Sequence, residues 1–291
     1  MFFLRRLSQH RSQTMLLILS LIAVLAFSTQ PLNAQVPGET FDLKSLSLRV
    51  REIREHMAAQ EFPIAFEIAK LCYRDAQNST GAIRIAATSR SVLYLLKISA
   101  NYEPAIVELQ RMRLELRKKL LDANIASFKP LDFRVFADLN RHFECEQDTV
   151  AVFSFFHQTQ PEKCRRVISY AGPSLMKHHE YRLAVAHFDV TERIAYFRVA
   201  KEVWSNRLRF PDQEDSVEFQ SNISDLADYY FALRVVGRNG EADMLSAELL
   251  KSLKDDRDLV VFARKILKQL DAKYENFQLT ESTRPKVPES E

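Results

Sequence analysis

Phe62-Pro-Ile-Ala65-Phe66-Glu-Ile-Ala69 has a counterpart forty residues further on, Tyr102-Glu-Pro-Ala105-Ile106-Val-Glu-Leu109. In both, an aromatic residue stands three places before an alanine and an apolar residue four places after it. That spacing belongs to one face of a helix, not to a strand. The alanine has a physical role. Two helices approach to about 8–10 Å only where a small side chain meets the facing helix. Three further stretches align on the same position: Asp148-Thr-Val-Ala151-Val152-Phe-Ser-Phe155, Tyr181-Arg-Leu-Ala184-Val185-Ala-His-Phe188, and Gly237-Arg-Asn-Gly-Glu241-Ala242 with Leu245. Ala65, Ala105, Ala151, Ala184 and Ala242 are therefore expected at buried helix crossings.

Apolar residues keep helical spacing along nearly the whole chain from Ser45. Leu46, Val50, Ile53 and Met57 form one stripe, and Ile64, Ile68 and Leu71 the next. Ile106, Leu109, Met112, Leu116 and Leu120 form a longer one. Breaks fall at Asn78-Ser79-Thr80, Asn101, Lys129-Pro130, Gln160-Pro161, Gly172-Pro173, Phe210-Pro211 and Gly237 to Gly240. Pro63 and Pro104 stand in first turns, where the missing N–H has no helical partner. Ten or eleven helices result, in short-looped antiparallel pairs, with Tyr181 to Asn206 read as one long helix. The seven phenylalanines between Phe128 and Phe156 read as core filling.

Glycine narrows the class of protein. There are five in 291 residues, and no two make a phosphate-cradling loop. Mononucleotide and dinucleotide folds built on such loops are excluded, as is a hairpin-rich β fold. The fold class expected is all-α, with helical hairpins in a superhelical array of irregular repeats.

The first 34 residues read as an address. Arg5, Arg6 and Arg11 precede the thirteen-residue apolar run Met15 to Phe27, and Leu32-Asn33-Ala34 follows. Thirteen helical residues reach about 20 Å, short of a hydrocarbon core of about 30 Å. A signal peptide cleaved after Ala34 is expected, with export to a periplasmic or extracellular compartment. The other reading keeps the leader as an anchor and makes the chain an accessory subunit of a membrane complex. Residues 35–44 read as a flexible lead-in, 45–278 as the helical domain and 279–291 as a disordered tail. No membrane span is expected in the mature chain.

Loss of the leader removes three arginines and no acid, leaving 38 basic against 38 acidic residues. Balanced charge does not recommend nucleic acid as a partner. The one basic run, Arg111 to Lys119, reads as a solvated helix face. Cys145 and Cys164 flank a helix read over Asp148 to Gln158, about 16 Å long. A disulfide needs Cα atoms within about 7 Å. Free thiols are expected at Cys72, Cys145 and Cys164.

No catalytic motif, cofactor site or metal site is legible. His178, His179 and His187 are the densest ligand-type group. A zinc helix needs histidines four apart, and position 183 is leucine. A metal-dependent helical enzyme is the weakest of the functional readings.

The aligned pattern of aromatic, alanine and large apolar residues resembles the second helix of the tetratricopeptide repeat. Ala232 to Ala242 looks most like that family's helix–turn–helix junction. The intervals depart from the family's 34 residues, and the resemblance covers about 45 to 255. It implies a protein- or peptide-binding groove lined by the first helix of each pair. Transferred onto this chain, those positions are Arg54, Arg90, Tyr94, Lys97, Asn140 and Arg234. Arg90, Tyr94 and Lys97 follow the helical period and are expected to share one exposed face. Such a groove suits an acidic or carboxylate-ended peptide.

Overall fold

The structure is a computed structural model, which describes residues 41–207 and 215–283. The leader, its cleavage point, the first six residues of the lead-in, the Phe210-Pro211 break and residues 284–291 lie outside that range. The described residues are all-α, with twelve helices and no strand. They are α1 (Leu43–Ala58), α2 (Phe62–Asn78), α3 (Gly81–Ser99), α4 (Glu103–Asp122), α5 (Pro130–His142), α6 (Glu146–Thr159), α7 (Pro161–Lys177), α8 (Tyr181–Ala186), α9 (Val190–Arg207), α10 (Asp215–Val235), α11 (Asn239–Ser252) and α12 (Arg257–Thr283).

The chain divides into two compact units, with the boundary after Ser174. In the first, each helix from α1 to α5 packs on the next. α1 also meets α3, α3 meets α5, and α4 meets α6. In the second, α10 packs on α8, α9, α11 and α12.

Four of the five turns within helical pairs close in the same way. Gln60, Glu144, His179 and Gly237 have φ of 60°, 57°, 62° and 81°. The next N–H in each donates back to a carbonyl five residues earlier: Glu61 to His56, Cys145 to Asn140, Glu180 to Leu175 and Arg238 to Leu233, at 2.7–2.9 Å. This is the Schellman closure, which satisfies the last carbonyls of one helix and sets the direction of the next. Five residues after each left-handed position comes a fully buried small side chain: Ala65, Thr149, Ala184 and Ala242, all at 0% exposure. Ala105, also at 0%, takes that place in α4, whose turn closes without a left-handed residue.

This corrects the third copy. Ala151 is exposed, and Thr149 occupies the crossing. The alignment slipped by two because Thr149 is neither alanine nor preceded by an aromatic residue. In α2 the small residues expected alongside the Ile64, Ile68 and Leu71 stripe, Ala65, Ala69 and Cys72, take the buried side in its place. Ile64 and Leu71 are exposed, while Ala65, Phe66, Ala69, Cys72 and Ala76 are buried. Small side chains let α2 lie close against α1 and α3, so volume of contact outweighs residue hydrophobicity.

Two breaks differ from expectation. Gly172-Pro173 does not end a helix, since α7 runs through Pro173. The proline removes one N–H from the ladder, and the division between units falls one residue beyond it. The helix expected from Tyr181 to Asn206 is interrupted at His187–Asp189. There Asp189 caps α9 by accepting from the Glu192 N–H at 2.9 Å. Phe188 turns inward and stacks on Tyr229, with ring centroids 3.9 Å apart. At the ends, α1 begins at Leu43, inside the expected lead-in. α12 runs to Thr283, past the expected start of the tail at 279. Asp42 caps α1, accepting from the Ser45 N–H at 2.7 Å, which holds its carboxyl below the usual range.

The first unit's densest packing is aromatic. Phe128, Phe133, Phe136 and Phe156 are buried and meet edge-to-face or tilted, and Phe153 is buried too. Phe155 is exposed. Lys163, itself at 0% exposure, rises into this cluster. Its Nζ donates to the Ala123 and Leu120 carbonyls at 2.6 and 3.3 Å, closing the C-terminus of α4. The ammonium also lies 4.5 Å from the Phe156 ring centroid and 5.1 Å from that of Phe128. Burial pulls its pKa down, while the helix dipole and the two ring faces favour the charged form. All three cysteines are free, and Cys145 and Cys164 stand on either side of α6.

Candidate functional site

α1, α3 and α5, the leading helices of the first three pairs, lie side by side. α5 is enclosed on most of its surface, with Asp132 to Ala137, Leu139 and Asn140 all buried. Phe133, Phe136 and Leu139 draw it into the core, and its charged residues go in with them. Asp132, 3% exposed, is held by Lys119 at 2.7 Å and Arg84 at 3.7 Å. Arg134 is also 3% exposed. Its Nε stands 3.8 Å from Asp138 Oδ2, and Arg141 reaches the other oxygen of Asp138 at 3.2 Å. One carboxylate thus serves two guanidinium groups. The Nη1 of Arg134 is buried and has no hydrogen-bond partner.

Between α3 and α5 lies a small open cleft of about 20 Å³. Val92, Leu93 and Leu96 of α3 and Val135 of α5 make its apolar walls. Ser89, Arg134 and Asp138 are its polar lining. The Ser89 hydroxyl, on a residue 8% exposed, also lacks a partner. Ser89 and Arg134 thus each line the cleft while holding one polar atom that is closed to solvent and unpaired. That space has room for about one water-sized group.

The residues transferred from the repeat resemblance fall around this cleft unevenly. Arg90 and Lys97 are exposed on α3. Tyr94 is not exposed with them; it is 5% exposed and covered by α1. Its hydroxyl accepts from Arg54 Nε at 2.6 Å, and the ring lies 5.6 Å from Lys97 Nζ and 6.0 Å from the Arg54 guanidinium carbon. Helical spacing within α3 placed Tyr94 outward, but only the neighbouring helix decides what stays open. Arg54, Tyr94 and Lys97 do come together, as an inter-helix clasp.

Asn140 is a structural residue. At 0% exposure, it donates to Thr149 Oγ1 at 2.9 Å and ties α5 to α6. Arg234 belongs to the second unit and is already compensated. It donates to Asp243 at 2.6 Å and to the Tyr230 hydroxyl at 3.2 Å. Three of the five cations in the basic run of α4 are paired: Arg111 with Glu108 and Glu115, Arg113 with Asp148, Lys119 with Asp132.

Ser89, Arg134 and Asp138 escaped the sequence reading. The available signal was Arg134 itself, a lone cation inside Phe133-Arg134-Val135-Phe136. A charge in such a run is either snorkelling or lining a site.

His179 lies at a left-handed turn position, where its Nδ1 meets the Tyr181 hydroxyl at 2.8 Å. Among the described residues no group of three or more His, Cys, Asp or Glu is placed to hold a metal ion. Among them, too, no helix is long and apolar enough to cross a membrane. Compared with family models, curated proteins and solved structures, the chain matches none.

Proposed function

We propose that the chain is an exported helical-repeat scaffold that binds a protein or peptide in the cell envelope. Its partner lies along the α1–α3–α5 face of the first unit. The observation that carries this reading is the α3–α5 cleft, lined by Ser89, Arg134 and Asp138 beside apolar Leu93 and Leu96, on a helix that also carries exposed Arg90 and Lys97. Left-handed turns followed by a buried small residue support a tetratricopeptide-like, right-handed superhelical arrangement of the pairs. Export rests on the basic, apolar and small-residue order of residues 1–34.

Site-directed photo-crosslinking in cells tests the binding face. A photoreactive amino acid replaces half-buried Leu93 at the cleft, exposed Lys97 beside it, or exposed Val107 on α4 as a control. Discrete adducts from positions 93 and 97 and none from 107 are expected. Equal labelling from all three, or none from any, refutes the assignment. Mass spectrometry of the exported chain should give an N-terminus at Gln35, and an intact leader refutes cleavage.

A further inference from the structure

The link between α4 and α5, residues 123–129, carries an apolar tip where a turn is ordinarily polar. Ile125 is 40% exposed, and Ala126 beside it is exposed too. Asn124 and Ser127 hold that tip in one shape. The Ser127 N–H donates to Asn124 Oδ1 at 2.9 Å, and the Ser127 hydroxyl donates to the Asn124 carbonyl at 3.2 Å. Buried Phe128 anchors its base by meeting Phe156 edge-to-face.

Cations surround this tip. Arg117 and Lys118, about one turn before the end of α4, are exposed and stand outside the ion pairs of that helix. Lys129 is exposed at the far end of the link. The first turns of α7 lie against it. Lys163 Nζ donates to the Ala123 carbonyl, and the Arg166 guanidinium carbon stands 5.5 Å from the Phe128 ring centroid. Arg165 and Arg166 are exposed there. Lys119 is already neutralised by Asp132. Against these five free cations stand two exposed acids, Asp122 and Glu162, which leaves three positive charges in excess. The helix ends add to the same field. Lys163 caps the carbonyls at the negative end of α4, while α5 and α7 present their positive N-terminal ends here.

We propose that this end of the first unit docks on an anionic lipid surface. Ile125 and Ala126 enter the headgroup region, and the cations lie over the charged headgroups. A protruding tip has no walls to enclose a small anion. A bilayer surface offers many anionic groups with an apolar layer beneath them, and shallow binding of this kind adds apolar burial to electrostatic attraction. A nucleic acid duplex supplies the charge but no apolar layer for Ile125. The contact uses no residue of the α3–α5 cleft, so it stands or falls apart from the peptide-binding reading.

Flotation of the full chain with lipid vesicles tests it. Vesicles of equal parts phosphatidylglycerol and phosphatidylcholine should bind the chain far more tightly than pure phosphatidylcholine vesicles, and less tightly as salt rises. Arg117→Gln with Lys118→Gln should weaken that binding about twentyfold, from about fivefold per cation. Ile125→Ser should weaken it about fivefold. Lys265→Gln with Lys268→Gln makes the same charge change at exposed positions of α12 and should leave the affinity within about twofold. All five positions are exposed, so melting curves should match wild type. Ile125→Trp places a reporter at the tip. With the wild-type signal of Trp204 subtracted, brominated lipid should quench it and should not quench Val107→Trp on α4. Equal binding to both kinds of vesicle overturns the proposal, as does an Ile125→Ser chain that binds like wild type. Quenching at position 107 equal to that at 125 does so too, and so does a loss from the α12 pair as large as that from the α4 pair. Binding to a DNA duplex that is tighter than to anionic vesicles, and unchanged by Ile125→Ser, overturns lipid as the occupant.

Discussion

Thr149 and Ala151 are two residues apart on α6, and substituting leucine at each separates two registers for the third repeat. Thr149 is at 0% exposure, and its hydroxyl accepts from Asn140, also at 0%. Ala151 faces solvent. Thr149→Leu forces extra volume into a closed crossing, which costs about 1–3 kcal/mol. It also leaves the Asn140 amide without its acceptor, at about 1–3 kcal/mol more. The two penalties share a site and need not add, so a loss of about 2–5 kcal/mol is expected. Thr149→Val keeps the shape and removes only the hydroxyl, which isolates the hydrogen-bond part at about 1–3 kcal/mol. Ala151→Leu should stay within about 0.5 kcal/mol of wild type. Ala105→Leu, at an authentic crossing, should lose about 1–3 kcal/mol. Urea unfolding followed by circular dichroism at 222 nm reads all four, provided the slope against urea is unchanged. A neutral Thr149→Leu, or an Ala151→Leu that loses more than about 1 kcal/mol, would refute the assigned register.

The left-handed turn positions make the next test. Glu144→Gly should stabilise by up to about 1 kcal/mol, because φ of 57° strains a residue with a Cβ; Gly237→Ala should destabilise by a similar amount, both read from thermal melts. Lys163→Met keeps the stem but withdraws the donor from the Leu120 and Ala123 carbonyls, and should cost about 1–3 kcal/mol in urea unfolding; an unchanged midpoint would show that desolvation cancels the cap. Burial pushes the Cys164 thiol up to about 12 and raises that of Cys72. The folded state then keeps protons that the unfolded chain releases, so stability is full below pH 9 and falls as pH rises from 9 toward 12. A buried thiol contributes up to about 1.4 kcal/mol per pH unit over that window. Unfolding midpoints from pH 7 to 11 measure the slope, and Cys164→Ala should reduce it. A thiol reagent on the native chain should modify half-buried Cys145 first.

Helical period and alanine spacing determined a good deal by themselves. They specify an all-α chain, its pairing into short-looped hairpins and four of the five buried crossings, because a crossing needs a small residue and nothing larger fits. Proline in first turns marked the starts of α2 and α4 for an equally local reason. What escaped depended on partners far along the chain. Gln60, Glu144 and His179 hold left-handed turns that carry no sequence mark, since only glycine or asparagine announces that conformation. Thr149 became a crossing residue because Asn140 satisfies its hydroxyl. Tyr94, outward by the period of its own helix, is closed over by Arg54 of α1. Arg134 became the centre of the candidate site because Phe133 and Phe136 pull α5 inward and leave its guanidinium short of partners. Periodicity ranks the faces of one helix. Which face remains open, and which buried polar atom goes unpaired, is set by the neighbours, and only the packed structure names those.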